Sequence, residues 1–479
     1  MQSANAGSER GWLGPALALV GAVTLARLVA LAFDRTDLFV DETQYWLWGQ
    51  RLDFGYYSKP PLIGWLIRAV TELAQSDAKF WVRMPGSVLH GTTALILGAL
   101  AARIAGARAG FWAAALYVTL PFTALGSIMI STDTVMAPFY AAALLFFWRL
   151  GDGRRWPDAF ALGLCAGLAV MAKYVGLFAP AGMLLAMLVA PSRRIGWGNA
   201  ALALAVFALV IAPNVVWNMT HSFATLEHTM DNVGWVRAGE SAGLNWASMG
   251  GFLGAQFGVF GPVTMLALIA GLVLPRSADK RALAVLVLPP LAVVTAQALL
   301  DKAYANWAIT AYFPGVILAV LMLPRWGRWL AFVTNLVAVV ATAALITLAP
   351  WPEQKGRPLL HRYLGRAELS TRILALAKAN EVPVYASNRD ILADLFYTGR
   401  DAGVTIYAPA PKGRAMSYYE QNFPLPADYT GQILVIRDRP LACNGVPMPP
   451  AGLLNGAGTW EGKGITPYLV PRDCLDAED

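Results

Sequence analysis

The sequence predicts an all-α polytopic membrane protein of about eleven spans that ends in a small α/β domain. Three observations lead there. Charged residues are 14% of the 479 and hydrophobic ones 57%, whereas soluble domains carry about 25% charge. Apolar runs long enough for a bilayer recur from residue 11 to residue 349. Beyond Pro350 the composition turns polar and proline-rich, with short β-like runs beside a helical pattern. The chain therefore divides into 1–350 and 351–479.

The first apolar run, Trp12 to Phe33, lacks a small-residue cleavage site and reads as a retained helix, not a leader. The spans fall near 11–33, 80–102, 109–127, 134–150, 156–172, 174–191, 197–217, 246–275, 282–300, 306–323 and 327–349. The 156–191 stretch is about twice a bilayer long and must turn, and Lys173-Tyr174 is the natural place.

Lysine and arginine in alternate short loops set the orientation. One set of loops holds Arg103, Arg108, Arg149, Arg154, Arg155, Arg193, Arg194, Arg276, Lys280, Arg281, Arg325 and Arg328. The short loops of the other set hold only Asp133, Lys173, Asp301 and Lys302. The first set is expected in the cytoplasm, with the N-terminus, and the tail outside. This topology also accounts for the net charge of +7, so the basic balance asks for no nucleic-acid partner. The seventeen tryptophans and sixteen tyrosines suit two wide membrane interfaces.

Two long loops face the outer side. In the first, 34–79, Asp41 to Gln50 reads as a short helix with aromatics on one face, and Pro60 opens a second over Pro61 to Ala74. Both are expected to be amphipathic and to lie on the membrane surface. The second loop, Trp217 to Trp246, carries His221, Glu227, His228, Asp231, Asn232 and Arg237. In the tail, a helix over Ala367 to Ala379 precedes strands over Val382–Ala386, Val404–Tyr407 and Gln432–Arg437. No glycine-rich phosphate loop is present there. Cys165 lies in an apolar span, where it packs as a small hydrophobe. Cys443 and Cys474 lie in the tail and can pair if the tail is outside the cytoplasm.

The stretch Val40-Asp41-Glu42-Thr43-Gln44-Tyr45-Trp46-Leu47-Trp48, with Tyr56-Tyr57-Ser58-Lys59-Pro60-Pro61-Leu62, concentrates the chemistry. Two adjacent acids at a membrane boundary are costly unless they serve a purpose. One suits the positive end of a helix; a second is better explained as part of a general base outside the cytoplasm. Lys59, against two prolines, is a cation aimed at little entropic cost, although a snorkelling lysine would look the same. Lys173 at the outer turn could meet an anionic headgroup, and Tyr174, Arg237, His228 and Lys302 are further candidates. Ser131-Thr132-Asp133 reads first as a helix N-cap, with Asp133 also able to steer a substrate. Asn306-Trp307 places an amide and an indole at the outer interface. Cations around two carboxylates make a site for a phosphate leaving group beside a base.

At this point the residues resemble a family. An acidic pair after the first span, then Tyr-Tyr-x-Lys-Pro-Pro-Leu, is similar to the GT-C glycosyltransferases that use polyprenyl-phosphate sugars. These include the protein O-mannosyltransferases and the lipid A aminoarabinose transferases. Met171-Ala-Lys-Tyr174, Ala212-Pro-Asn-Val-Val-Trp-Asn218 with His221 and Phe223, Asp231-Asn232 and Ala305-Asn306-Trp307-Ala308 fit the same pattern, over roughly residues 10–325. The pattern lies nearest to bacterial members that glycosylate lipopolysaccharide, galacturonic acid transferases among them.

The resemblance implies a GT-C catalytic domain over 1–350 and a periplasmic domain over 351–479. It implies an inverting transfer at the periplasmic face of the inner membrane, from a polyprenyl-phosphate sugar to lipid A or the lipopolysaccharide core. Asp41 is then the base and Glu42 its supporting acid. Lys59, Lys173 and Arg237 hold the donor phosphate. Tyr45, Tyr56, Tyr57, Asp133, Tyr174, His221, His228 and Asn306 line the substrates, with His221, His228 and Arg237 on a loop that closes over the donor. The partners implied are the carrier-linked sugar, the glycolipid acceptor and membrane lipids, with no nucleic acid. No cofactor is assigned, and a divalent metal is left open.

Two departures matter. Ser58 stands where an acid commonly precedes Lys-Pro-Pro in the aminoarabinose pattern, which argues against that sugar and against a metal held by that acid. No lumenal β-trefoil insertion of the eukaryotic protein mannosyltransferases is present. A protein hydroxyl as acceptor remains the second enzyme reading. A transporter is the competing class, but transporters gather polar residues near the bilayer midplane, and this chain gathers them at one face.

Overall fold

The computed structural model describes residues 11–232 and 243–476. They form two compact units. The first comprises the described residues up to Ala32, then Asp53–Leu66 and Arg83–Ala344; the second comprises Phe33–Leu52, Ile67–Val82 and the described residues from Leu345 on.

The first unit is helical. Among the described residues seven helices are long and apolar enough to cross a membrane, and nine if two bent pairs each make one span. The bent pairs are Ala107–Thr119 with Pro121–Ile128, at 57°, and Trp246–Phe260 with Pro262–Val273, at 113°. Each break precedes a proline, which removes a backbone donor and disfavours helix in the residue before it. Trp156–Ala172 and Tyr174–Val189 are shorter apolar helices that take the remaining two expected places. They part at Lys173, whose backbone is extended, where the sequence places the turn. The interior is closed by rings such as Tyr140 against Phe313 and Phe260 stacked on Tyr312.

The helix Thr132–Gly153 gives this unit two chemically distinct ends. At its C-terminal end Asp152 accepts from Arg103 at 2.7 Å and from Arg193 at 2.8 Å, and Arg193 also reaches Asp279 at 3.3 Å. These side chains come from the basic loop set. At its N-terminal end lies Asp133, nineteen residues away along the same helix. At 1.5 Å per residue that is about 29 Å, close to the thickness of a bilayer core.

The second unit carries a four-stranded sheet in the order Ile406–Tyr407, Val384–Ala386, Gln432–Arg437, Thr466–Pro471. Val384 pairs in parallel with Ile406 and with Leu434, and Ile433 pairs antiparallel with Val470. The three expected strands are present. The fourth, with prolines at positions 467 and 471, did not read as a strand in the sequence. The expected helix is Arg366–Ala379, and a second, Arg389–Thr398, connects the first two strands. Ile433, Val435, Tyr468, Val470 and Leu441 build the core with Cys474, which is disulfide-bonded to Cys443 across a Cα separation of 4.8 Å.

Asp394, buried in Arg389–Thr398, has its carboxyl pushed up to about 6. Burial is the main cause and Asp37 adds to it, while hydrogen bonds from Ser370 and Thr398 and the Arg366 charge pull the other way. The folded unit thus holds this proton more tightly than the unfolded chain. Its contribution is full below about pH 4 and is lost as pH rises through about 6. Asp394→Asn is expected to stabilise the unit at pH 8 by roughly 2–3 kcal/mol and to do nothing at pH 4. Hydrogen exchange of the 389–398 amides in the full-length protein reads this directly, and equal gains at both pH values would refute it.

Candidate active site

The acidic pair starts the helix Val40–Gly49 in the second unit. The two acids have different fates. Glu42 is 1% exposed and accepts the Phe39 backbone N–H at 2.9 Å, so it caps its own helix. Asp41 is 47% exposed and points at Arg389, whose Nη2 donates to Asp41 Oδ1 at 2.5 Å. Arg389 Nε donates to Gln44 Oε1 at 3.0 Å. Burial works against the Arg389 charge, but the Asp41 carboxylate outweighs it and the pKa is raised.

This helix is buried at nine of its ten residues. It is therefore packed on all sides, and does not lie on a membrane surface with one face free as the sequence suggested. Trp46 donates to Asp77 at 2.7 Å and meets Tyr397 edge-on at 5.1 Å. Tyr45 tilts against Trp48, which meets Tyr418. Leu62–Ala74 does show one buried stripe, Ile63, Ile67 and Thr71, at helical spacing.

In the first unit the remaining candidates fall into a second constellation. Lys173 Nζ lies 2.8 Å from both oxygens of Asp133, and Asn306 Nδ2 donates to Asp133 Oδ2 at 3.3 Å. Two sequence candidates, 40 and 173 residues from Asp133, meet on the carboxylate of a third. The Asp133 side chain is 10% exposed and that of Lys173 14%, so each charge is largely held by the other. Ser131 caps this helix by accepting from Thr134, as expected.

Beside them, Tyr174 donates to Asn214 Oδ1 at 2.9 Å and accepts from Asn218 Nδ2 at 3.1 Å. Asn214 in turn donates to the Phe54 carbonyl at 2.7 Å, and Thr225 to the Tyr56 carbonyl at 2.7 Å. These bonds anchor the segment that carries Tyr56, Tyr57 and Lys59. Tyr56 and Tyr57 are buried and Lys59 half-buried, its carbonyl accepting the Tyr56 N–H at 3.1 Å. At Gly55 any Cβ would collide with the Trp217 ring, so only glycine lets the loop pass so close.

His221 stacks on Trp217 at 4.1 Å, and its Nδ1 lies 2.8 Å from the Trp217 carbonyl. A carbonyl only accepts, so Nδ1 carries a proton. His228 packs on Tyr57 at 4.9 Å. Arg237 lies outside the described residues. Among the described residues no three His, Cys, Asp or Glu side chains group so as to hold a metal.

Sequence reasoning missed Arg389 altogether, because a basic residue in a polar tail carries no local mark. It did not weigh Asn214 and Asn218 for themselves, although two amides one turn apart in an apolar helix were a readable signal.

Residues 58–217 match the family model described as dolichyl-phosphate-mannose-protein mannosyltransferase. The lipid A galacturonosyltransferase RgtD of Rhizobium johnstonii is 42% identical over 473 residues, covering 96% of this chain and 98% of that one. Crystal structures of ArnT from Cupriavidus metallidurans share the fold. The form bound to undecaprenyl phosphate has a TM-score of 0.65 at 15% identity, over 95% of this chain and 98% of that one. The apo form has a TM-score of 0.61 at 14% identity, over 88% and 93%. The acid-pair and Lys-Pro-Pro motifs, the helical fold and identity along nearly the whole chain coincide, and the chain belongs to the GT-C family of membrane glycosyltransferases that use polyprenyl-phosphate sugars.

Proposed function

We propose that this glycosyltransferase moves galacturonic acid from a polyprenyl-phosphate carrier to a lipid A or lipopolysaccharide-core acceptor. The observation that carries the reading is the 42% identity, over 473 residues, to a lipid A galacturonosyltransferase. The donor class is supported by the fold shared with a protein solved with undecaprenyl phosphate.

In the proposed reaction an acceptor hydroxyl oxygen attacks the anomeric carbon from the side opposite the phosphate. The bond from that carbon to the phosphate oxygen breaks, and its electron pair leaves with the carrier phosphate. The hydroxyl proton passes to Asp41, and the sugar inverts. Glu42 supports Asp41 by fixing the first turn of the helix that carries it. Lys59 and Arg237 hold the phosphate, as does Lys173, with its ammonium set in place by Asp133. Tyr45, Tyr56, Tyr57, Tyr174, His221, His228 and Asn306 shape the substrate pockets.

We place the enzyme in a bacterial inner membrane, N-terminus inside and residues 351–479 as a periplasmic domain. The lysine and arginine bias of the loops supports this orientation. So does the Cys443–Cys474 bond, because disulfides persist outside the cytoplasm.

The test uses the full-length protein in lipid nanodiscs with labelled polyprenyl-phosphate galacturonate, galactose and aminoarabinose. Lipid A and a serine- and threonine-rich peptide serve as acceptors. Transfer of galacturonate to lipid A is the expected result. Transfer to the peptide alone would install the protein-acceptor reading, which the mannosyltransferase family match over 58–217 favours. Use of aminoarabinose in place of the uronate would overturn the sugar assignment.

A further inference from the structure

Arg389 sits beside the proposed base, yet nothing in the chemistry of the base calls for a cation there. Its guanidinium commits one edge. Nε serves Gln44 at 3.0 Å and Nη2 serves Asp41 at 2.5 Å. The end-on pair of parallel donors, one N–H from Nη1 and one from Nη2, has no partner among the described residues. That pair is the fork that matches the two oxygens of a carboxylate. The side chain is 45% exposed, so the fork is reachable.

The group is also held in place. Gln44, from which Arg389 takes its second bond, is buried in the helix that bears Asp41. Arg389 opens the helix Arg389–Thr398, and Asn388 caps that helix by accepting the Asp390 N–H at 2.8 Å. Both ends of the contact are therefore fixed before any substrate arrives, the condition under which an arginine discriminates rather than merely attracts.

A uronate donor makes such a group necessary. It brings a carboxylate towards Asp41, and two carboxylates close together repel unless a cation stands between them. Arg389 holds Asp41 by one edge and leaves the other edge open for a second carboxylate.

We propose that Arg389 is the residue that reads the carboxylate of the donor sugar, bridging it to Asp41 and selecting uronic over neutral sugars. This rests on the galacturonate reading above. An acceptor phosphate offers a similar pair of oxygens, so the experiment separates the two sources.

Transfer rates are measured in nanodiscs for polyprenyl-phosphate galacturonate and polyprenyl-phosphate galactose. Lipid A with and without its phosphates is the acceptor, and the wild type, Arg389→Gln and Arg389→Lys are compared. The wild type is expected to favour the uronate by about 100-fold, less than the roughly 10⁴–10⁵-fold of a site whose buried polar groups are left unpaired by the wrong substrate, because water can partner the half-exposed Arg389 when the sugar is neutral. Arg389→Gln closes that gap to within about 3-fold, mainly through KM for the uronate, and its thermal unfolding, measured on the same nanodisc samples, shows that it is folded. Arg389→Lys restores part of the preference, because it keeps the charge and loses the fork.

A preference unchanged in Arg389→Gln overturns the proposal. So does a defect that disappears with dephosphorylated lipid A, which would assign Arg389 to the acceptor. Folded Gln and Lys variants that are equally inactive with both donors would reduce Arg389 to a group that positions Asp41. A wild type that ignores galacturonate sinks the galacturonate reading first, and this inference with it.

Discussion

Replacing Asp41 by asparagine is expected to cut sugar transfer by about two to four orders of magnitude while the protein stays folded. The two effects separate because of where Asp41 stands. Its side chain is half exposed and pairs with the equally exposed Arg389. Exposed ion pairs contribute about 0–1 kcal/mol, and asparagine can still accept a hydrogen bond from the guanidinium. Glu42 makes the contrast. It is buried and caps the helix, so Glu42→Gln is expected to cost stability as well as rate. Transfer by Asp41→Asn within about 3-fold of wild type would remove it as the general base, since base catalysis contributes far more than that. A matching loss of thermal stability would make the rate effect uninterpretable as chemistry and count against the assignment.

Lys173→Met is expected to lower both stability and transfer, and the double variant Asp133→Asn with Lys173→Met is expected to recover only stability. The single variant strands the Asp133 carboxylate, which is 10% exposed, and removing one partner of a buried pair costs about 3–5 kcal/mol. The double variant removes both charges and the mutual dependence with them. If Lys173 holds the donor phosphate, the double variant remains slow and its KM for donor stays high. Recovery of transfer along with stability would leave the pair a structural strut. Thermal unfolding and donor titration on the same nanodisc samples distinguish these results.

Most of the helical frame was legible because burial in lipid demands long apolar runs, and composition reports them directly. The breaks at Pro121 and Pro262 were less so. Proline marks a break, but its angle depends on what packs around it. In the tail, Gln432–Arg437 reads as a strand because its apolar residues are consecutive, whereas Thr466–Pro471 is hidden by its prolines and declares itself only through pairing with that strand.

The candidate site divides in the same way. The sequence by itself determined the membrane frame, the expected orientation of its loops and the residue types available for chemistry: an acidic pair, Lys59 before two prolines, Lys173 at a turn. It could do so because each of these is costly in or beside lipid and stands out against an oily background. Only the tertiary structure decided which residues meet. It gave Glu42 to the helix cap and left Asp41 to Arg389, 348 residues away. It joined Asp133 to Lys173 and Asn306, and tied Asn214 to the Phe54 carbonyl, 160 residues apart. Partner choice depends on which distant groups packing brings within about 3 Å, and no local pattern in a chain encodes that distance.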